Sequence, residues 1–322
     1  MMHPIARRSL LLAAGLSALS SPGLAQGGWR PSRPLRFFVG FGAGGPSDTI
    51  VRLISQELGP ALGSTVVVDN RPGASGNLGT LAALQAPADG HTLGFAGIHL
   101  ATNPAMLPSL GYDPRTDLRV VSTFTSVPIV VMASTKSGIT SVQHLVERAK
   151  QRAVQVSSGG VGTSSHLGPT LLFRALGGSF EPVQYRSGAE AFQALVAGDT
   201  EAMFDPASSY HAPAAAEGRI SILGVMQEAR TPALPQVLSF TELGLPATAM
   251  MRSWQGLFVR TGTPDDAVRA LHAGVVQALR TPAVRDRLTN LGIEPVASLD
   301  PDQAQAFYLG EVERWGGLLR AG

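Results

Sequence analysis

One stretch constrains this chain more than any other: Leu35–Leu58, which reads LRFFVGFGAGGPSDTIVRLISQEL. Leu35–Val39 is a short apolar run rich in aromatics, the pattern of a buried strand. Gly40, Gly42, Gly44 and Gly45 follow in a loop nearly bare of side chains. Pro46 suits the first turn of a helix, and Asp48 stands where an acid meets the positive end of a helix dipole. Ile50, Leu53, Ile54 and Leu58 supply the apolar stripe, and Gly59-Pro60 reads as the stop. A strand, a bare loop and a helix N-terminus leave backbone N–H groups facing outward, which suits an anion. The loop also carries Gly40-x-Gly42-x-x-Gly45, the spacing of a dinucleotide fingerprint. Asp69 closes the next apolar run, Val66–Val68, about where a ribose-binding acid would sit. A nucleotide-dependent enzyme is therefore one alternative. Against it, Pro46 directly follows the third glycine, so that glycine precedes the helix rather than lying within it.

The same architecture recurs farther on. Val154–Ser157 reads as a strand, Ser158–His166 (SGGVGTSSH) as a glycine-rich loop, and Leu167, Leu171 and Ala175 as one helix face. Here the loop adds the hydroxyls of Thr163, Ser164 and Ser165. Between the two units lie a second glycine loop, Asp69–Asn77, and a helix over Leu78–Leu84. A strand over Leu93–Ala96 then enters a loop, Gly97–Pro104, that holds His99, Thr102 and Asn103. Val127–Ser134 is an extended run leaving a first domain, and Gln255–Val259 is the return crossing. Strands at Val183–Tyr185, Ala202–Phe204 (ending at Asp205-Pro206) and Ile220–Val225 belong between those crossings. From Pro264 onward the pattern is helical, with Phe307 and Trp315 as packing groups. Alternating strands and helices imply parallel α/β sheets. Two such lobes joined by two crossings enclose a cleft, and open sheets take ligands at their carboxyl strand ends, where both glycine loops lie.

Composition narrows the function. The chain has 322 residues, room for two cores, and 44% of them are hydrophobic, a globular balance. It has no cysteine, which removes disulfides, thiolate chemistry and Cys-ligated metals. Arg7-Arg8, the apolar Ser9–Leu19 and Gly23-Leu24-Ala25 form an export leader with cleavage after Ala25, by the general or the twin-arginine route. Removing the leader's two arginines brings 25 Lys+Arg against 23 Asp+Glu to parity. No basic cluster with interleaved aromatics appears, so nucleic acid is not an expected partner. Ser164, Ser165 and His166 lack a G-x-S-x-G elbow and an orienting third group, which speaks against a hydrolase. The histidines show no H-E-x-x-H spacing, so neither a metal nor a cofactor is expected. His166 at a helix start is expected to donate to loop carbonyls. Asp205 either caps a turn or accepts from a ligand amine or hydroxyl.

Several segments then resemble one family. RPLRFFVGFGAGGPSDTIVRL, VVVDNRPGASGNLGT, PADGHTL, NPAML, GYDPRTDL, GTSSHLGPTLLF, ALVAGDTEAMFD, TPALPQVLSFTELGLP and GTPDDAVRAL occur in order along essentially the whole exported chain. They are similar to the periplasmic receptors of tripartite tricarboxylate transporters, the TctC-like or Bug receptors. The resemblance implies an α/β, two-lobed periplasmic-binding-protein fold of Venus-flytrap, type II-like form with two hinge crossings. It implies a monomeric receptor without catalytic activity that closes on a small carboxylate and serves a membrane transporter or a signalling partner. Lobe 1 would comprise 26–127 and 255–322, and lobe 2 would comprise 128–254. The implied ligand-binding residues are Phe41, Ala43, Gly44, Gly45, Ser47 and Asp48 in the first loop. Gly162, Thr163, Ser164, Ser165 and His166 follow in the second lobe, with Asn77 and Asp205. The sequence departs from the family pattern at Ala43, where proline is usual, and at Arg186-Ser187, where Lys-Gly is usual.

Overall fold

The computed structural model describes residues 28–320, apart from Ala233, Gly292 and Leu299; the leader and its cleavage position lie outside the described residues. The first elements are β1 (Leu35–Val39), α1 (Pro46–Ala61), β2 (Val66–Asn70), α2 (Asn77–Leu84), β3 (Thr92–Gly97), α3 (Ile98–Met106) and β4 (Leu118–Ser134). Next come α4 (Val142–Gln151), β5 (Val154–Ser158), α5 (Ser164–Leu176), β6 (Phe180–Gln184), α6 (Gly188–Ala197), β7 (Ala202–Pro206), α7 (His211–Ala216) and β8 (Ile220–Val225). The chain ends with β9 (Arg252–Arg260), α8 (Asp265–Arg280), α9 (Pro282–Asn290), β10 (Glu294–Pro295) and α10 (Pro301–Arg320).

The strands make a curled sheet in the order β2-β1-β3-β9-β4-β7-β5-β6, with β10 and β8 also on β4. Within it β1, β2 and β3 are parallel, as are β5, β6 and β7. The crossing strands break the expected parallel pattern. β9 runs antiparallel to β3 and β4, and β4 runs antiparallel to β7 and β8. β4 pairs with β9 from Leu118↔Arg260 to Pro128↔Arg252, then with β7 from Ile129 and with β8 from Val130. The fold is thus two-lobed, and its hinge is a strand shared by both half-sheets.

Helices cover both faces. Leu35, Phe37 and Val39 of β1 pack with Ile50, Ile54 and Leu58 of α1 and with Val268, Leu271 and Val275 of α8. The other face is sealed by α3 and α10 through Leu100, Ala101, Tyr308 and Trp315.

Four expectations shift. The outgoing crossing is nine residues longer than the Val127–Ser134 run, because the β-branched stretch from Leu118 continues the same strand. The return strand begins at Arg252, ahead of Gln255. Gly59-Pro60 does not stop α1, which runs to Ala61; a Cβ on Gly59 would meet the Ser64 carbonyl at 2.8 Å, so this glycine instead lets the returning chain pass. The presumed loop Gly97–Pro104 is helix α3. Pro104 denies the Leu100 carbonyl its helical donor, and the Tyr308 hydroxyl of α10 lies 3.5 Å from it.

Candidate functional site

The glycines of the first loop have unequal work. A Cβ on Gly40 would fall 2.3 Å from the Gly76 carbonyl oxygen, and one on Gly79 would fall 2.5 Å from the Gly40 Cα. Gly40 is therefore bare because the β1–α1 loop rests on the start of α2. Gly42 faces open space, and Gly44 has φ +77, a left-handed turn. Of the three fingerprint positions, packing demands glycine at Gly40 and crowds Gly45, whose Cβ would lie 3.2 Å from the Gly42 carbonyl oxygen, but makes no demand at Gly42.

Asp48, 3% exposed, ties this loop together. Its Oδ2 accepts from the Gly44 N–H at 2.8 Å and from Arg52 Nε at 2.9 Å, and its Oδ1 accepts from Asn70 Nδ2 at 2.9 Å. Burial alone would raise its pKa; the bonds from Arg52, Gly44 and Asn70 outweigh that and lower it. Its carboxylate holds the loop. Gly45 is the N-cap of α1, with Pro46 at its first position. Ser47 stands in the first turn, half-buried, while Ala43 is exposed. The first-turn amides of Ser47 and Asp48 have no acceptor within the helix.

Phe41 belongs to an aromatic floor. Its ring meets Phe95 and His99 edge-on, with centroids 5.9 and 5.3 Å away, and His99 stacks on Phe95 at 5.7 Å. His99 is 2% exposed, and burial pushes its pKa down to about 3, which keeps the imidazole neutral.

The second-lobe loop satisfies itself. Ser165 Oγ accepts from the Gly159 N–H at 3.0 Å and lies 2.9 and 3.2 Å from the hydroxyls of Thr163 and Ser158. Thr163 Oγ1 also donates to the Gly160 carbonyl at 2.6 Å. Thr163 and Ser165 therefore shape the loop, and Ser164 is buried beside them. His166 Nδ1 accepts from the Gly162 N–H at 3.4 Å, the reverse of the expected donation to a carbonyl, because loop N–H groups point toward the helix start. Burial lowers the pKa of His166, consistent with a neutral accepting ring. The first-turn amides of Ser164 and Ser165 have no helical acceptor.

Structure brings the two loops together through a third. Ser75 Oγ donates across the cleft to the Val161 carbonyl at 2.7 Å, and Thr102 Oγ1 of α3 donates to the Gly162 carbonyl at 3.0 Å. Sequence reasoning named Thr102 only as a loop residue and passed over Ser75; the signal was a serine amid glycines in Gly73–Gly76. Asn77 sits at the first position of α2 and donates to the Leu110 carbonyl at 3.0 Å. Asp205, at the carboxyl end of β7, does not cap a turn. Its Oδ2 accepts from the Tyr210 hydroxyl at 2.8 Å and lies 3.2 Å from His211 Nε2, while a Cβ on Gly188 would sit 3.6 Å from its Oδ1. A separate cavity of about 820 Å³ lies at the hinge, walled by Arg252, Trp254 and Phe307 among others; none of the implied ligand residues lines it.

A family model described as the tripartite tricarboxylate transporter family receptor matches residues 50–322. The chain belongs to that receptor family. A protein of Pseudomonas sp. (strain P51) from the tcbD-tcbE intergenic region is 33% identical over 319 residues, spanning 98% of this chain and 94% of the relative. Among solved structures, MatC from Rhodopseudomonas palustris with bound malate is 30% identical with a TM-score of 0.81, covering 90% of this chain and 99% of that one. An R. palustris protein with adipate is 29% identical with a TM-score of 0.83, covering 90% and 97%. The chain is a receptor rather than an enzyme, so the nucleotide-dependent alternative falls. No helix among the described residues is long and apolar enough to cross a membrane.

Proposed function

We propose that this receptor binds a small organic carboxylate between lobe 1 (26–127 with 255–322) and lobe 2 (128–254), after export to the periplasm and cleavage behind Ala25. The observation that supports the reading is a repeated arrangement. α1 and α5 each follow a glycine-rich loop at the carboxyl end of a strand, one in each half-sheet, and the Gly73–Gly76 turn packs on Gly40 of the first loop while its Ser75 bonds Val161 of the second. The first-turn amides of Ser47 and Asp48, and of Ser164 and Ser165, supply donors and the positive ends of two helix dipoles. Phe41 and the neutral His99 supply the apolar floor, and Asp205 a polar end that would accept from a ligand hydroxyl or amine. Malate and adipate in the similar structures are both short dicarboxylates, which supports the same class here. The receptor acts as a monomer and hands its ligand to a membrane transporter or a signalling partner.

Titration calorimetry with malate, adipate and their dimethyl esters tests this reading. At least one acid is expected to bind and its ester is not, because the ester cannot supply an anion to the two helix ends. Equal binding of acid and ester would refute carboxylate recognition.

A further inference from the structure

Ser75 stands in an unusual backbone. Gly73, Ala74, Ser75 and Gly76 have φ of 134, 45, 52 and 86°, and among the described residues Ala74 and Ser75 are the non-glycines at positive φ. Glycine takes this conformation freely, whereas a Cβ strains it, and such strain collects at functional sites. The serine gains a contact that glycine could not make: its Oγ crosses the cleft to the Val161 carbonyl at 2.7 Å. Asn103 Nδ2, from α3, donates to the Ser75 carbonyl at 3.1 Å and holds the strained turn in place. Next to it Thr102 Oγ1 lies 3.0 Å from the Gly162 carbonyl oxygen and 3.2 Å from that of Ile98 one turn back, so its one proton is shared with Gly162 as the nearer acceptor. The fit is close, since a Cβ on Gly162 would lie 3.1 Å from Met106 Sδ and 3.4 Å from Thr102 Oγ1. Two successive carbonyls of the second-lobe loop are thus held by two hydroxyls of lobe 1.

We propose that Ser75 and Thr102 form a clasp that closes the cleft without ligand and positions the Gly159–His166 loop opposite lobe 1. This rests on the carboxylate reading of the cleft only for what the clasp serves, not for whether it exists. Ser75 is a positioning residue: it fixes the carbonyl side of the loop, so that the α5 amides next in sequence face the ligand at a set distance. The clasp favours the closed form by its own bonds, so the ligand-free receptor populates that form and ligand exchange waits on opening.

The cysteine-free chain permits a direct test. Val67→Cys and Glu181→Cys place one spin label on exposed positions of each of β2 and β6, the outermost strands of the two half-sheets. Electron–electron distance measurements are made without ligand on this pair, and on the pair carrying Ser75→Gly, Thr102→Val or both. The parent pair is expected to show a closed population. Each clasp substitution should lower the closed-to-open ratio about fivefold, the value of one neutral hydrogen bond. Ser75→Gly removes the bond and also the strain, so its unfolding midpoint should hold or rise while closure falls. A parent that is fully open without ligand overturns the proposal, as does an unchanged distance distribution in the variants. A midpoint for Ser75→Gly that falls together with closure would make the serine merely structural, and also overturns it. Because no ligand enters the measurement, failure of the calorimetry with malate and adipate leaves this result independent.

Discussion

Replacing Gly79 with alanine sets two physical effects against each other. Gly79 lies inside α2, where alanine is intrinsically favoured over glycine by about 1 kcal/mol. Its Cβ, however, would fall 2.5 Å from the Cα and 2.6 Å from the N of Gly40, and 3.1 Å from the carbonyl carbon of Val39. All three are backbone atoms and cannot rotate aside. Moving the closest of them to an ordinary 3.4 Å requires a displacement of about 0.9 Å. Such overpacking costs about 1–3 kcal/mol, and against an unyielding backbone the upper part of that range applies, leaving a net loss of about 2 kcal/mol after the helix gain. The displacement falls on the loop that carries Gly44 and the α1 amides, so carboxylate affinity should fall as well. Gly310→Ala is the matched control: Gly310 lies in α10 with nothing within 4 Å of its Cβ position, so only the propensity term of up to about 1 kcal/mol remains. Urea denaturation followed by circular dichroism, with calorimetric titration of malate and adipate, reads both variants. A Gly79→Ala protein as stable as wild type would show that α2 slides freely over the loop and would refute the argument.

Asp48→Asn replaces a carboxylate that accepts from Gly44, Arg52 and Asn70 with a group that turns an N–H toward donors. It should cost about 1.5–3 kcal/mol, the range for hydrogen bonds to a charged group, and hydrogen exchange over 41–45 should accelerate. Unchanged exchange there would sink the idea that this side chain holds the loop. His99 titrates near pH 3 when folded against an ordinary 6.5. The unfolded chain therefore takes up a proton on this residue first, so its contribution to stability is complete above pH 6.5 and is lost as the pH falls toward 3. His99→Gln should flatten that limb of the stability curve, and parallel curves for the two proteins would count against it.

The elements built on local pattern were legible in the chain. β1 and β8 lie where the apolar runs put them, and α1 starts at Pro46 as expected, whereas α5 starts at Ser164, inside the stretch read as loop through His166. What stayed hidden depends on partners far away in sequence. α3 reads as a loop because His99, Thr102, Asn103 and Pro104 are poor helix material on their own; burial against α10 stabilises it, and Tyr308 comes from two hundred residues downstream. Antiparallel pairing of the crossings is a tertiary choice without a local signature. In the site, residue types were readable but their directions were not. Asp48, Thr163 and Ser165 face into their own loops, and His166 accepts where donation was expected. Sidedness of this kind follows from a few hydrogen bonds closed within single turns. Ser75 escaped because its value lies in a contact 86 residues away.

The hinge strand carries a consequence for how this molecule comes apart. Leu118–Ser134 is one 17-residue ribbon that lends hydrogen bonds to β9 and β10 in one lobe and to β7 and β8 in the other. Neither half-sheet possesses a second such member, and a cut near Pro128 would strip both at once. Two lobes that share this strand are not expected to fold separately. Any swing of one lobe against the other would twist this strand, and its amides paired on either side of Pro128 should be among the last to exchange their hydrogens with solvent.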